Sequence, residues 1–262
     1  MKRLVLPLLA VAVAAVAVAV GGASFTLDRM FPGRAGDATS ETRSLPPFSK
    51  IAIEGAAEVT LVQGAANRIG VELAGRQPAR VRAEVVGETL AIAVHDPRRW
   101  WSWLIGAGGG RTPKLTITFR QLTGLRASGA VKVRTDALRA DTFAIGLSGA
   151  ASLHLAGLEL NQLSVSGSGA MKAELAGRAA EQKIAISGAG DYRAAKLQSE
   201  RANVAVSDAG RVVVNAAKAL QVGISGAGLV EYLGSPELTQ RVSGAGRVRR
   251  RDAATENGHW LA

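Results

Sequence analysis

"LSGAASLHLAGLELNQLSVSGSGA", residues 147–170, opens and closes on the same small residues and holds one complete period of the chain between them. Ser128-Gly129-Ala130 precedes it. Ser187-Gly188-Ala189-Gly190, Ser225-Gly226-Ala227-Gly228 and Ser243-Gly244-Ala245-Gly246 follow, with Ser207-Asp208-Ala209-Gly210 as a one-letter variant. The serines at 128, 148, 168, 187, 207, 225 and 243 lie 20, 20, 19, 20, 18 and 18 residues apart. A fixed period of this length marks a solenoid, in which one supersecondary unit stacks on the next.

Aligning the units on their serines shows what repeats. Five places on stand Val133, Leu153, Ala173, Tyr192, Val212, Val230 and Val248, an apolar column. Seven places on stand Leu155, Leu175, Ala194, Val214 and Tyr232, with Thr135 and Arg250 only at the ends of the series. A separation of two puts both columns on one face of a strand. A second alternating stretch closes each unit: Phe143/Ile145/Leu147, Leu163/Val165, Ile184/Ile186, Val204/Val206 and Val222/Ile224. Leu138, Leu158 and Leu197 mark a short segment between the two.

A helix pair needs roughly 33 residues per repeat, whereas about 20 suit a strand-built coil. The glycine and β-branched content also disfavours helix interiors. The period therefore predicts an all-β chain, a parallel β-helix whose coils pair with equivalent strands above and below. SGAG then occupies a corner, where glycine supplies the bend and small side chains stack closely. A phosphate cradle would need a helix start and a lysine followed by Ser or Thr behind the glycines. None of the copies supplies that.

The flanks divide the chain further. Lys2-Arg3 precede the uncharged Leu4–Val20, and Gly21-Gly22-Ala23 follows. This is the order of a secretory signal, and the apolar run is also long enough for a membrane anchor. Residues 1–23 are thus expected to direct export, either cleaved or retained. Residues 24–45, polar with Pro32, Gly33 and Gly36, read as a flexible linker. The β-helix is expected over 46–250 and a disordered tail over 251–262. "FSKIAIEGAAEVTLVQG", 48–64, reads as strands around a Glu54-Gly55-Ala56 corner, and "RVRAEVVGETLAIAV", 80–94, as a hairpin turning at Gly87-Glu88.

Those stretches, with "LTITF" at 115–119, "LTGLRASGA" at 122–130 and the serial SGAG corners, resemble the GIN-domain family, head domains of auto-transporter adhesins. The resemblance covers about residues 46–250. It implies a right-handed β-helix, an exported cell-envelope location and an adhesive or binding role, and it brings no catalytic residues with it. A membrane barrel would show as a series of amphipathic strands, and none follows Arg250, so the likeness is to the head alone.

The chain's chemistry points the same way. Cysteine is absent, which removes disulfides and thiolate metal sites. The acids of the coils read as scattered surface charge, without the paired carboxylates that general acid–base work requires. Asp191 alone follows an SGAG, too few oxygens for calcium. His95, His154 and His259 have no metal-ligand spacing, and His154, between Leu153 and Leu155, should point away from the core. No catalytic, metal or cofactor residues are therefore expected. A carbohydrate-active enzyme and a self-assembling envelope protein are the competing readings.

The formal net charge of +11 suits an anionic membrane surface or an envelope glycan, and export argues against nucleic acid. Oligomeric state is not legible. The one insert that breaks the β rhythm is "DPRRWWSWLIGAGGGRTPK", 96–114. Its Arg98, Arg99, Trp100, Trp101, Trp103 and Arg111 are the candidate surface-binding residues, because Trp and Arg dominate hot spots and Trp settles at membrane interfaces. A plug for the solenoid's open end is the alternative role.

Overall fold

The computed structural model describes residues 39–73, 80–95 and 112–251, so the expected leader, most of the linker, the tryptophan insert and the tail after Arg251 lie outside the described residues. Among those described, every regular element is a strand. The regular coils are β7 (Gly124–Thr135), β8 (Leu138–Gly149), β9 (Ser152–Gly169), β10 (Lys172–Ser187), β11 (Asp191–Asp208) and β12 (Arg211–Gly226). Neighbours pair in parallel, and the SGA serines meet one another: Ser128 faces Ser148, Ser148 faces Ser168, and so on to Ser225. The solenoid read from the period is the fold.

The predicted inward ladder forms in register. Val133 pairs Leu153, then Ala173, Tyr192, Val212, Val230 and Val248 follow, one per coil. All but Val248 are essentially inaccessible. Within this core Tyr192 donates its hydroxyl to Gln182 Oε1 at 3.0 Å, and Gln182 Nε2 reaches Leu197 O at 3.4 Å. Burial pushes the Tyr192 phenol far above its ordinary range. A buried polar pair of this kind is tolerated because each group finds a partner.

The corners confirm the reason for glycine. Gly188 and Gly226 have φ of +103° and +115°, and a Cβ on them would stand 2.9 Å from Gly169 O and 2.8 Å from Asp208 O. The variant corner keeps the same backbone: Asp208, at φ 73°, is the one non-glycine with positive φ among the described residues. Aspartate tolerates that region better than most side chains. From Gly149 onward the SGA corners fall between strands, and in β9 to β12 the segments that the sequence suggests within one unit are a single long strand that bends. Register shifts near Glu174–Gly177 and Ala194–Gln198 absorb the coils' unequal lengths.

The N-terminal end is built differently. β2 (Lys50–Gln63) is the first coil and stacks on β7, with Gly55 opposite Gly129. On its other side β5 (Thr89–His95) runs along its first half and β6 (Lys114–Phe119) along its second. β4 (Arg80–Val86) closes the expected hairpin onto β5, and β3 (Arg68–Leu73) lies antiparallel to β6. The last strand is a departure from the linker reading of 24–45. β1 (Thr39–Ser44) pairs antiparallel with β3. Its TSETRS carries no apolar alternation, because an edge strand is held by backbone hydrogen bonds and leaves no hydrophobic pattern to read. At the opposite end β13 (Leu229–Leu233), β14 (Glu237–Ser243) and β15 (Arg247–Arg250) finish the stack.

Candidate binding surface

Arg98, Arg99, Trp100, Trp101, Trp103 and Arg111, the expected surface-binding residues, lie outside the described residues, but the two ends of their insert are placed. The chain leaves at His95, at the end of β5, and returns at Pro113, whose carbonyl accepts the Glu58 N–H at 2.9 Å. Both ends border β2, one on each side of Gly55. A Cβ on Gly55 would collide with the Val94 carbonyl. The insert therefore springs from the corner column, where the next coil would otherwise carry its own glycine bend, at the N-terminal end of the stack.

The coils bring together a second set of residues that the linear reading treated as scattered. Strand alternation sends the side chains on either side of the inward ladder to one outer face. There Arg134, His154, Glu174, Arg193, Val213, Glu231 and Arg249 stand in register, one per coil. A parallel column runs beside it through Glu58, Lys132, Ser152, Lys172, Asp191, Arg211, Leu229 and Arg247. Neighbouring coils are about 4.8 Å apart, so charges separated by a whole period in sequence become direct neighbours.

Ion pairs cross the coils in both columns. Lys132 meets Glu58 at 3.4 Å, and Glu174 gathers Lys172 and His154 at 3.4 Å each and Arg193 at 3.7 Å. Arg193 also holds Asp191 at 2.6 Å. Desolvation works against the Glu174 carboxylate, but the bonds from Lys172 and His154 and the nearby Arg193 charge outweigh it and hold its pKa below the usual glutamate value. These pairs are solvent-exposed and contribute little stability each. Their effect is to order the face.

Glu231 is the exception. Its side chain is only 4% exposed, and it is clamped by Arg211 at 2.6 Å and Arg249 at 2.7 Å, from the coils on either side. Burial again opposes ionisation, and the two guanidinium groups again prevail, so its carboxyl also titrates below the ordinary value. A buried carboxylate of perturbed pKa is a general feature of catalytic sites, but both Glu231 oxygens are occupied by arginines. Among the described residues no group of three or more His, Cys, Asp or Glu is placed to hold a metal ion, and every buried side-chain polar atom has a partner. The ladder is geometrically suited to recognition. The signal that would have revealed it was present: the same alignment on serine that exposes the apolar column, read one place further on.

The sequence profile of the family described as "Putative auto-transporter adhesin, head GIN domain" matches residues 47–236. The chain belongs to this family. Among solved structures it is similar to a putative adhesin of Bacteroides fragilis, at 19% identity and a TM-score of 0.71, covering 83% of this chain and 98% of that one. A putative lipid binding protein of Parabacteroides distasonis superposes with 18% identity and a TM-score of 0.64 over 83% and 98% of the two chains. A putative adhesin of Parabacteroides merdae gives 17%, 0.60, 83% and 97%. At these identities the likeness is one of fold. Comparison with curated proteins found no match. The GIN profile ends at residue 236, so β14 and β15 extend the stack beyond the stretch it matches.

Proposed function

We propose that this GIN domain is a non-catalytic binding module of the cell envelope, exported by its N-terminal segment and engaging an envelope glycan or an anionic membrane surface. The observation that carries the reading is the cross-coil charge ladder. A rigid, repeating face with an excess of arginine and lysine suits an extended, repeating, negatively charged partner. Broad electrostatic attraction of this kind raises encounter rates and fixes register more than it adds raw affinity. The family's description as an adhesin head supports it, and so do solved neighbours described as adhesins and as a lipid binding protein.

The test presents the full chain, in neutral detergent, to an array of acidic and neutral glycans and to vesicles with and without phosphatidylglycerol. Binding to at least one acidic class, weakened by salt, is expected. Retention by neutral sugars alone, or by nothing, sinks the proposal. Release of oligosaccharides from a bound polysaccharide would favour the enzyme reading. The triple variant Trp100→Ala/Trp101→Ala/Trp103→Ala separates the insert's two roles: a binding partner loses affinity at unchanged melting temperature, and an end plug loses melting temperature.

A further inference from the structure

The last coil departs from the others in a way that deepens this reading and rests on it. Its core columns continue through Leu238, Gln240, Val242, Val248 and Arg250, in register with Leu220, Val222, Ile224, Val230 and Tyr232. Two of those five positions, Gln240 and Arg250, are polar, and both are exposed. A further coil or a second copy stacked here would have to bury them, against the cost of dehydrating a guanidinium. The same coil carries Arg241, Arg247, Arg249, Arg250 and Arg251 within eleven residues that contain no acid. Arg249 is held by Glu231 and Arg250 donates to Ser235 Oγ at 3.0 Å, but among the described residues no side-chain partner exists for Arg241, Arg247 or Arg251. Like charges at this density repel a second copy's identical end.

We infer that the C-terminal coil is the domain's ligand-docking end, and that its partner is a carboxylate-bearing polysaccharide. The lining chooses a glycan over a lipid surface. Arg241 borders an open, shallow depression lined by Ser207, Ser225 and Ser243 and by the apolar Ala205, Val206, Ile224 and Val242. A mostly apolar floor with three hydroxyls beside a guanidinium fork matches the C–H face, hydroxyls and acid of a uronate ring.

The experiment compares three forms of the full chain in neutral detergent, tail included, for binding to immobilised polygalacturonate, to dextran and to phosphatidylglycerol vesicles. Arg241→Gln/Arg247→Gln/Arg251→Gln spares the Glu231 clamp. Arg126→Gln/Arg178→Gln/Arg201→Gln removes the same charge from exposed positions on the coil body, outside both columns of the ladder. The terminal triple should lose about tenfold in polygalacturonate affinity and show a shallower salt dependence, with the body triple within about twofold of wild type. Equal losses in both triples would overturn the assignment, reducing it to net charge. So would undiminished polygalacturonate binding by a terminal triple that self-associates, since the arginines would then guard an open edge. Wild type binding the vesicles but not polygalacturonate overturns the glycan while leaving the broader proposal standing. Wild type binding neither, nor any acidic glycan on the array, fails the proposed function itself.

Discussion

The two ends of the stack solve the same physical problem in opposite ways. A solenoid coil buries its core side chains against its neighbours, so a terminal coil has one face with nothing to cover it. At the N-terminal end β5 and β6 lie parallel on β2 and carry the antiparallel β4 and β3, and Ile51, Ile53, Leu90, Ile92, Leu115 and Ile117 are all at most 1% exposed. At the C-terminal end nothing among the described residues covers the last coil. There Leu238 and Val248 are half-buried, Val242 is 43% exposed, and Gln240 and Arg250 replace apolar residues in the core columns. One end is closed by added structure and the other is made compatible with water by substitution. Among the described residues, the second leaves Arg241, Arg247 and Arg251 without a side-chain partner.

The largest expected effect separates those ends directly. Gly129 has φ +103°, and a Cβ there would collide with the Gly55 carbonyl. Gly129→Val should destabilise the domain by about 3 kcal/mol or more, from backbone strain and lost stacking together. The equivalent Gly244→Val, at φ +104° with a Cβ 2.7 Å from Gly226 O, should cost only about 1 kcal/mol, because the last coil can open locally without unfolding the rest. Melting curves and hydrogen exchange on β14 and β15 check both. Equal losses would show the two ends to be one cooperative unit.

Glu231 ties the open end to the body, so its removal sharpens the contrast. Glu231→Gln should cost about 1–2 kcal/mol, since both arginines lose a nearly buried acceptor. Its folded pKa lies below the unfolded one, so the clamp contributes fully above the ordinary glutamate value of about 4.3 and is lost as pH falls through the lower folded value. The wild-type and variant melting temperatures should therefore differ at neutral pH and converge in acid. A constant difference from pH 7 to 3 would mean that ionisation of Glu231 is not what holds the coil.

The smallest effect belongs to the middle of the stack, where both neighbours are present. Tyr192→Phe leaves Gln182 Oε1 buried without its donor and should cost about 1 kcal/mol. Tyr192→Phe/Gln182→Leu should recover part of that loss, because removing both partners leaves no polar atom unsatisfied. If the double variant is as unstable as the sum of the singles, the pair is not acting through its hydrogen bond.

The sequence by itself determined the parts that repeat. Spacing between serines named the solenoid, the offset-five column named the inward ladder as far as Val248, and the glycines named the corners, because stacking makes one rule apply to every coil. Asp208 shows how little latitude that rule leaves: it adopts the left-handed backbone its neighbours reach with glycine. Tertiary structure decided what does not repeat. β1 has no pattern to read because backbone pairing alone holds it. Glu174 and Glu231 looked like isolated acids because their arginine partners are eighteen to twenty residues away in sequence and one coil away in space. Arg250, charged where its column is otherwise uncharged, marks the last coil in sequence, but which end is covered belongs to tertiary structure, since the strands that close the other end follow no repeat.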